Sequence, residues 1–97
     1  MLELAQKIEL VQTCGACPEQ YDAFIDGRQV GYLRLRHGYF TVQYPDVRGE
    51  LVYEAEPNGD GLFEFEEREG YLAAARLALI NRHKLELDKE DEYERNI

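Results

Sequence analysis

Along Glu56–Glu67, EPNGDGLFEFEE, oxygen-bearing groups recur at a spacing that suits a hard cation. Glu56, Asn58, Asp60, Glu64 and Glu67 supply side-chain oxygens, the Leu62 carbonyl falls among them, and Gly61 stands where a loop closing on an ion must turn sharply. Calcium takes about six to eight such oxygens in a flexible shell. The same residues also describe a simpler object. A Gly-rich turn can lead from a strand into a helix, and acids in the first turns of that helix favour its positive end.

Two further groupings could carry chemistry. Cys14-Gly15-Ala16-Cys17 has the spacing of half a metal site or a redox pair. A structural zinc needs four ligands; only His37 and His83 could complete the set, and neither lies at the spacing of a zinc module. A redox pair of this kind opens a helix, whereas the residues that follow, Tyr21–Ile25, read as strand. The second grouping is Tyr32, Arg34, Arg36 and Tyr39, a basic and aromatic patch in an acidic chain. Such a patch can stack a base and hold a phosphate. The plainer reading pairs the two arginines across the sheet with Glu50 and Glu54, a few tenths of a kcal/mol each. No nucleophile elbow, Gly-rich phosphate loop or paired histidines appear.

These residues have to be positioned by the elements around Gly31–Tyr44, GYLRLRHGYFTVQY. Two runs rich in β-formers flank His37-Gly38, a two-residue hairpin loop whose residues must both take positive φ. That loop sets Arg36 opposite Tyr39, Leu35 opposite Phe40, Arg34 opposite Thr41, Leu33 opposite Val42 and Tyr32 opposite Gln43. Side chains alternate between faces, so Leu33, Leu35, Phe40, Val42 and Tyr44 form the apolar side. Asp26-Gly27 predicts a second hairpin joining Tyr21–Ile25 to Arg28–Arg36. Simple pairing there places Tyr21, Ala23, Ile25, Val30 and Tyr32 on the side of Arg34. That is too much apolar surface for a wet face, so either a bulge near Gly31 shifts the register or something covers that side too.

At the N-terminus, Lys7–Gln12 reads as a strand, with a helix as the alternative, and Cys14–Glu19 as a loop. Pro45-Asp46 and Arg48-Gly49 mark a turn. Glu50–Glu56 reads as a strand with Leu51, Tyr53 and Ala55 on one side. A helix is expected from Glu64 to His83 or beyond. Between Tyr71 and Ile80 its only polar residue is Arg76, so a helix apolar nearly all round should meet the N-terminal segment or a second protomer through residues 71–80. Residues 85–97 read as a solvated helix end or a disordered acidic tail.

The chain has 97 residues, with 20 Asp+Glu against 11 Lys+Arg and a net charge of −9. That length suits one domain with one core, residues 1–97. Its acidic surface opposes nucleic acid, which is bound by Lys and Arg displacing counterions, and anionic membrane. It suits a basic protein or a cation. Net charge also simply keeps a small protein soluble. No stretch approaches a membrane span and MLELAQKIEL is unlike a signal peptide, so the expectation is a cytoplasmic protein with reduced cysteines.

Three resemblances attach to these residues. Glu56–Glu67 resembles an EF-hand calcium loop, with Gly61 at its sixth position and Phe63 at its apolar eighth. It departs from that family at Glu56, one methylene longer than the usual first ligand, and in being entered by a strand. The hairpin-then-helix order around Asp26-Gly27 and Val30-Gly31-Tyr32 loosely resembles the middle of the GNAT acetyltransferases. Arg48-Gly49-Glu50 does not reproduce their pyrophosphate loop, so acetyl-CoA binding is not carried over. The run CPEQYDAFIDGRQVGYLRLRHGYFTVQYPD resembles a set of small bacterial and phage proteins of uncharacterised activity.

The expected fold is α+β: an antiparallel β-meander of four to five strands with one long C-terminal helix packed on the face of Leu33, Leu35, Phe40 and Val42. The expected function is non-enzymatic. A phage or mobile-element protein would present its acidic surface to a basic protein partner, as anti-CRISPR nucleic-acid mimics do. Two alternatives stand beside it: weak calcium binding through Glu56, Asn58, Asp60, Leu62, Glu64 and Glu67, and a small-ligand or nucleotide binder, or degenerate acetyltransferase-like protein, using Tyr32, Arg34, Arg36 and Tyr39. No cofactor beyond calcium is expected.

Overall fold

The structure, a computed structural model, describes residues 7–15 and 18–95. Strands β1 (Glu9–Cys14), β2 (Glu19–Ile25), β3 (Arg28–Arg36), β4 (Tyr39–Tyr44) and β5 (Glu50–Ala55) form one antiparallel sheet in chain order, and helix α1 (Phe65–Arg95) follows. The α+β meander expected from the sequence is present, with five strands and the helix packed on β3, β4 and β5. β1 begins and ends two residues later than the expected Lys7–Gln12, and Ile8, just before it, is buried in the core.

The β3–β4 hairpin has the register set by its two-residue loop, from Tyr32 opposite Gln43 to Arg36 opposite Tyr39. His37 and Gly38 have φ of 53° and 72°, and Asp26 and Gly27 of the β2–β3 turn have 49° and 81°. Paired positive φ gives each turn a backbone twist that matches the strands it joins.

The excess of apolar residues around Val30 is settled by a bulge. Phe24 pairs with Gln29 but Ala23 pairs with Gly31, leaving Val30 as the extra residue of β3. The shift turns Tyr21 and Ala23 to the side of Leu33 and Leu35 and sends Tyr32 to the opposite side. Val30, Ala23, Leu33, Leu35, Phe40 and Val42 are all essentially inaccessible beneath the helix. A second bulge corrects the expectation for β5. Val42 pairs with Tyr53 and Gln43 with Leu51, so Val52 is extra and Leu51 leaves the side of Tyr53 and Ala55 to stand exposed.

Helix α1 buries one stripe, Leu72, Ala75, Leu79 and Ile80, with Arg68, Tyr71, Arg82 and His83 half-buried along its margins. The three- and four-residue steps between them define one helical face. The face away from the sheet carries mostly alanine, and Leu77 is its one large half-exposed side chain between residues 71 and 80. Ile80 belongs to the core. Of the N-terminal segment expected as one cover for the outer face, Glu9 onward pairs with β2 as β1, and residues 1–6 lie outside the described residues. At about 1.5 Å per residue, the 31 residues of the helix account for most of the 49 Å long axis of the molecule. The region expected to be a solvated helix end or a disordered tail is helical to Arg95.

Helix and sheet approach closely at Gly31. A Cβ there would lie 2.6 and 2.7 Å from the two δ-methyls of Leu79 and 3.2 Å from its Cγ. Leu79 is fully buried and has nowhere to swing. Gly31→Ala is therefore expected to destabilise the fold by about 1–3 kcal/mol, the usual cost of overpacking. The urea-denaturation midpoint reads this. Combined with Leu79→Ala, which alone costs about 2–5 kcal/mol, the pair should lose less than the sum of its parts; strict additivity would mean that the two positions do not touch.

Candidate functional site

Strand parity places Glu19 on the same side of β2 as Tyr21 and Ala23, so its carboxylate enters the core rather than solvent. Every donor it needs is there. The Tyr21 hydroxyl and the Phe63 amide, the latter at 3.0 Å, donate to it, as do Arg68 Nε at 3.0 Å and Nη2 at 3.3 Å. Arg68 Nη2 also donates to the Phe63 carbonyl at 3.2 Å, and the Glu19 amide donates to the Gly61 carbonyl at 2.9 Å. Burial pushes the Glu19 carboxyl up. The bonds from Arg68, Tyr21 and Phe63, together with the Arg68 charge, outweigh it and hold the group below the usual carboxylate range. Burial, the bond to Glu19 and the charge on Glu19 push the Tyr21 hydroxyl up to about 12.

This network seats the loop that leads into α1, and a second carboxylate shapes it. Glu67 Oε1 accepts the Asn58 amide at 2.8 Å, and Oε2 accepts the amides of Gly59 at 2.8 Å and Glu64 at 2.9 Å. The bond to Glu64 is the return half of a capping box, in which the third helical residue reaches back to the N-cap. The loop also touches the β3–β4 turn, where the Gly38 amide donates to the Asp60 carbonyl at 2.6 Å. Arg36, His37, Asp60 and Gly61 line a depression of about 240 Å³ at this contact.

The arrangement gives Glu67 a role other than that of an ion ligand. An ion-binding loop aims oxygens inward at one point, with Glu67 as the closing ligand. Here the loop aims amide hydrogens at Glu67. Glu56, Asn58, Asp60, Leu62 and Glu64 are left exposed around the outside, and among the described residues no three His, Cys, Asp or Glu side chains form a metal-holding group.

Tyr32, Arg34, Arg36 and Tyr39 do share one side of the sheet, the side away from the helix. Tyr32 donates to Gln20 at 2.7 Å, and an open groove of about 520 Å³ lies beyond it, lined by Asp22, Gln29, Tyr32, Asp46, Val47 and Arg48. The expected ion pairs across the strands do not form. Glu54 stands opposite Thr41, where it accepts the Tyr39 hydroxyl, and Glu50 reaches over the edge to Arg82 Nε of α1 at 3.3 Å. The Arg82 guanidinium lies 4.9 Å from the centre of the Tyr44 ring, and the Tyr44 hydroxyl shares a 2.7 Å hydrogen bond with His83 Nδ1. Cys14 ends β1, while Cys17 lies outside the described residues, so the Cys14–Cys17 pair has no geometry to assess.

Beside β5 an aromatic group completes the picture. Phe40 meets Phe63, Tyr53 and Tyr71 edge-on, with ring centres 5.0, 6.1 and 6.2 Å away, and Phe63 stacks on Tyr71 at 5.7 Å. No family model, curated protein or solved structure matches the chain.

Two predictions follow from the carboxylates. Glu19→Gln leaves Arg68 without its counter-charge and should cost about 3 kcal/mol at neutral pH, as a broken buried pair does. The folded pKa of Glu19 is depressed, so its contribution is present above the ordinary value of 4.5 and lost as pH falls through the folded value. Wild type and Glu19→Gln should therefore converge in stability on acidification, measured by denaturation across pH; a constant gap would place the carboxylate outside the network. The second concerns cations. Calcium and magnesium at equal concentration should shift the melting temperature equally, by screening the net charge, and Glu67→Gln should leave that shift unchanged while speeding hydrogen exchange at Asn58 and Gly59. A larger shift from calcium, lost in Glu67→Gln, would restore the ion-binding reading.

Proposed function

We propose that the chain is a non-enzymatic interaction module that docks an acidic end onto a basic protein partner. The observation that carries this reading is where the exposed carboxylates fall. Glu54 and Glu56 at the end of β5, Asp60 and Glu64 in the loop, and Glu66 and Glu69 in the first turns of α1 are all exposed along one folded-back stretch of chain. The arginine of those helical turns, Arg68, is spent on buried Glu19 and does not neutralise them. Like charges held together on a rigid scaffold keep their mutual repulsion unless a cationic surface relieves it, which favours encounter with basic partners. A partner that normally holds a phosphate backbone presents such a surface, so nucleic-acid mimicry in the manner of phage-encoded inhibitors is the specific form proposed. A cytoplasmic setting belongs to the same proposal. No helix among the described residues is long and apolar enough to cross a membrane.

The test is binding of a purified basic DNA-binding protein to the immobilised chain over a salt series. Affinity should fall steeply as salt rises, because the Debye length shortens from about 30 Å at 0.01 M to about 8 Å at 0.15 M. Glu54→Lys/Glu66→Lys should weaken it by about tenfold or more, whereas Asp88→Lys/Glu90→Lys, the same charge change on the exposed far turns of α1, should not. Binding that ignores salt, or that is lost equally in both variants, would overturn the reading.

A further inference from the structure

We infer that a shallow depression beside β5 seats a lysine or arginine side chain from an extended segment of the partner, which lies along the β5 edge; the inference rests on the basic-partner reading above and says where that partner is gripped. The depression, of about 240 Å³, is lined by Tyr53, Glu66, Glu67, Gly70 and Tyr71, room for one such side chain.

Three features point to a cationic side chain. The walls include two tyrosine rings, and a cation over an aromatic face is attracted by the ring quadrupole. Those rings are held in place by others: Phe40 packs edge-on against both, and Phe63 stacks on Tyr71. The seat is therefore formed before binding, and little ordering is needed to use it. The rim carries Glu66 and Glu67, and both oxygens of Glu67 are fixed by loop amides, so its charge stays where it is.

Gly70 supplies an independent observation. It lies inside α1, where glycine is a poor choice for helix stability. Yet nothing among the described residues lies within 4 Å of the position its Cβ would take, so no packing among them calls for glycine. What the missing side chain does is leave the depression open.

The occupant is a strand because of what adjoins the seat. β5 is an edge of the sheet, and an edge strand has outward-facing amides and carbonyls that a further strand can pair with. A strand laid there sends alternate side chains to the helix side, where the depression and the exposed Glu66 lie, and the others to the side of Glu54 and Thr41.

The experiment titrates the full chain with a terminally blocked decapeptide of alternating lysine and valine, with glutamine replacing lysine in a control peptide. Calorimetry gives affinity and nuclear magnetic resonance follows the Tyr53 and Tyr71 rings. The lysine peptide should bind and shift both rings, and the control should not. Gly70→Leu keeps the net charge and improves helix propensity, so its melting temperature should stay level or rise while affinity falls about tenfold. A Gly70→Leu variant that binds as wild type while added salt still releases the peptide would overturn the seat and leave the basic-partner reading standing. A wild-type chain that takes neither the peptide nor the basic DNA-binding protein would overturn both.

Discussion

A carboxylate withdrawn from water is tolerated only where donors replace the water it has lost, and the fold is arranged to do this for Glu19. Its four hydrogen bonds come from β2 itself, from the loop after β5 and from the first turns of α1. The chain positions that meet there are 19, 21, 63 and 68, so the network can form only when the first half of the sheet and the start of the helix are both in place. It fixes where the helix begins, and the direction of the helix follows. A hydrophobic contact at the same point would hold the two parts together but would not specify this angle, because apolar packing has no directional donors.

The loop entering α1 inherits its shape from that anchor. Phe63 is fixed by its amide on Glu19 and by its ring against Phe40, and Glu67 gathers the amides of Asn58, Gly59 and Glu64. The two inward carboxylates, Glu19 and Glu67, satisfy the backbone and the arginine. The remaining acids of the stretch are thereby turned outward. The same packing that orders the loop thus leaves Glu56, Asp60, Glu64 and Glu66 exposed along one stretch of chain. It also stands Tyr53 and Tyr71 beside an open strand edge, with their rings supported from behind.

The two sides of the sheet serve different ends. One is closed by α1 through Leu72, Ala75, Leu79 and Ile80, with Gly31 allowing the approach. The other carries Tyr32, Arg34 and Arg36 among glutamine, threonine and aspartate, and is bare of any element among the described residues. The bulges at Val30 and Val52 make this division clean. Each inserts one residue and so reverses the side to which the following residues point, moving Tyr21 and Ala23 into the core and Leu51 out of it.

By itself the sequence determined the local structure of the protein. His37-Gly38 and Asp26-Gly27 specify their turns because the required positive φ is a property of two residues, and the β3–β4 register follows from loop length alone. The long helix was equally legible, from acidic first turns and an apolar run with basic residues near its end after a Gly-rich break. The buried network was only half legible. Glu19 stands at the alternating positions of Tyr21 and Ala23, and Arg68 three and four residues before Tyr71 and Leu72. Both are therefore charged residues on apolar faces, a signal that each needs a partner. Which partner depends on how the helix lies across the sheet, and no spacing in the chain states that. The calcium-like pattern is silent for the same reason. Spacing places oxygens along a loop, but the direction they face is set by what else competes for the loop, and here Glu67 took the amides first. The charge total was plain from composition. That part of it lines the loop beside the rings of Tyr53 and Tyr71 and the β5 edge is a consequence of chain segments far apart in sequence being packed together, and only the tertiary structure decided it.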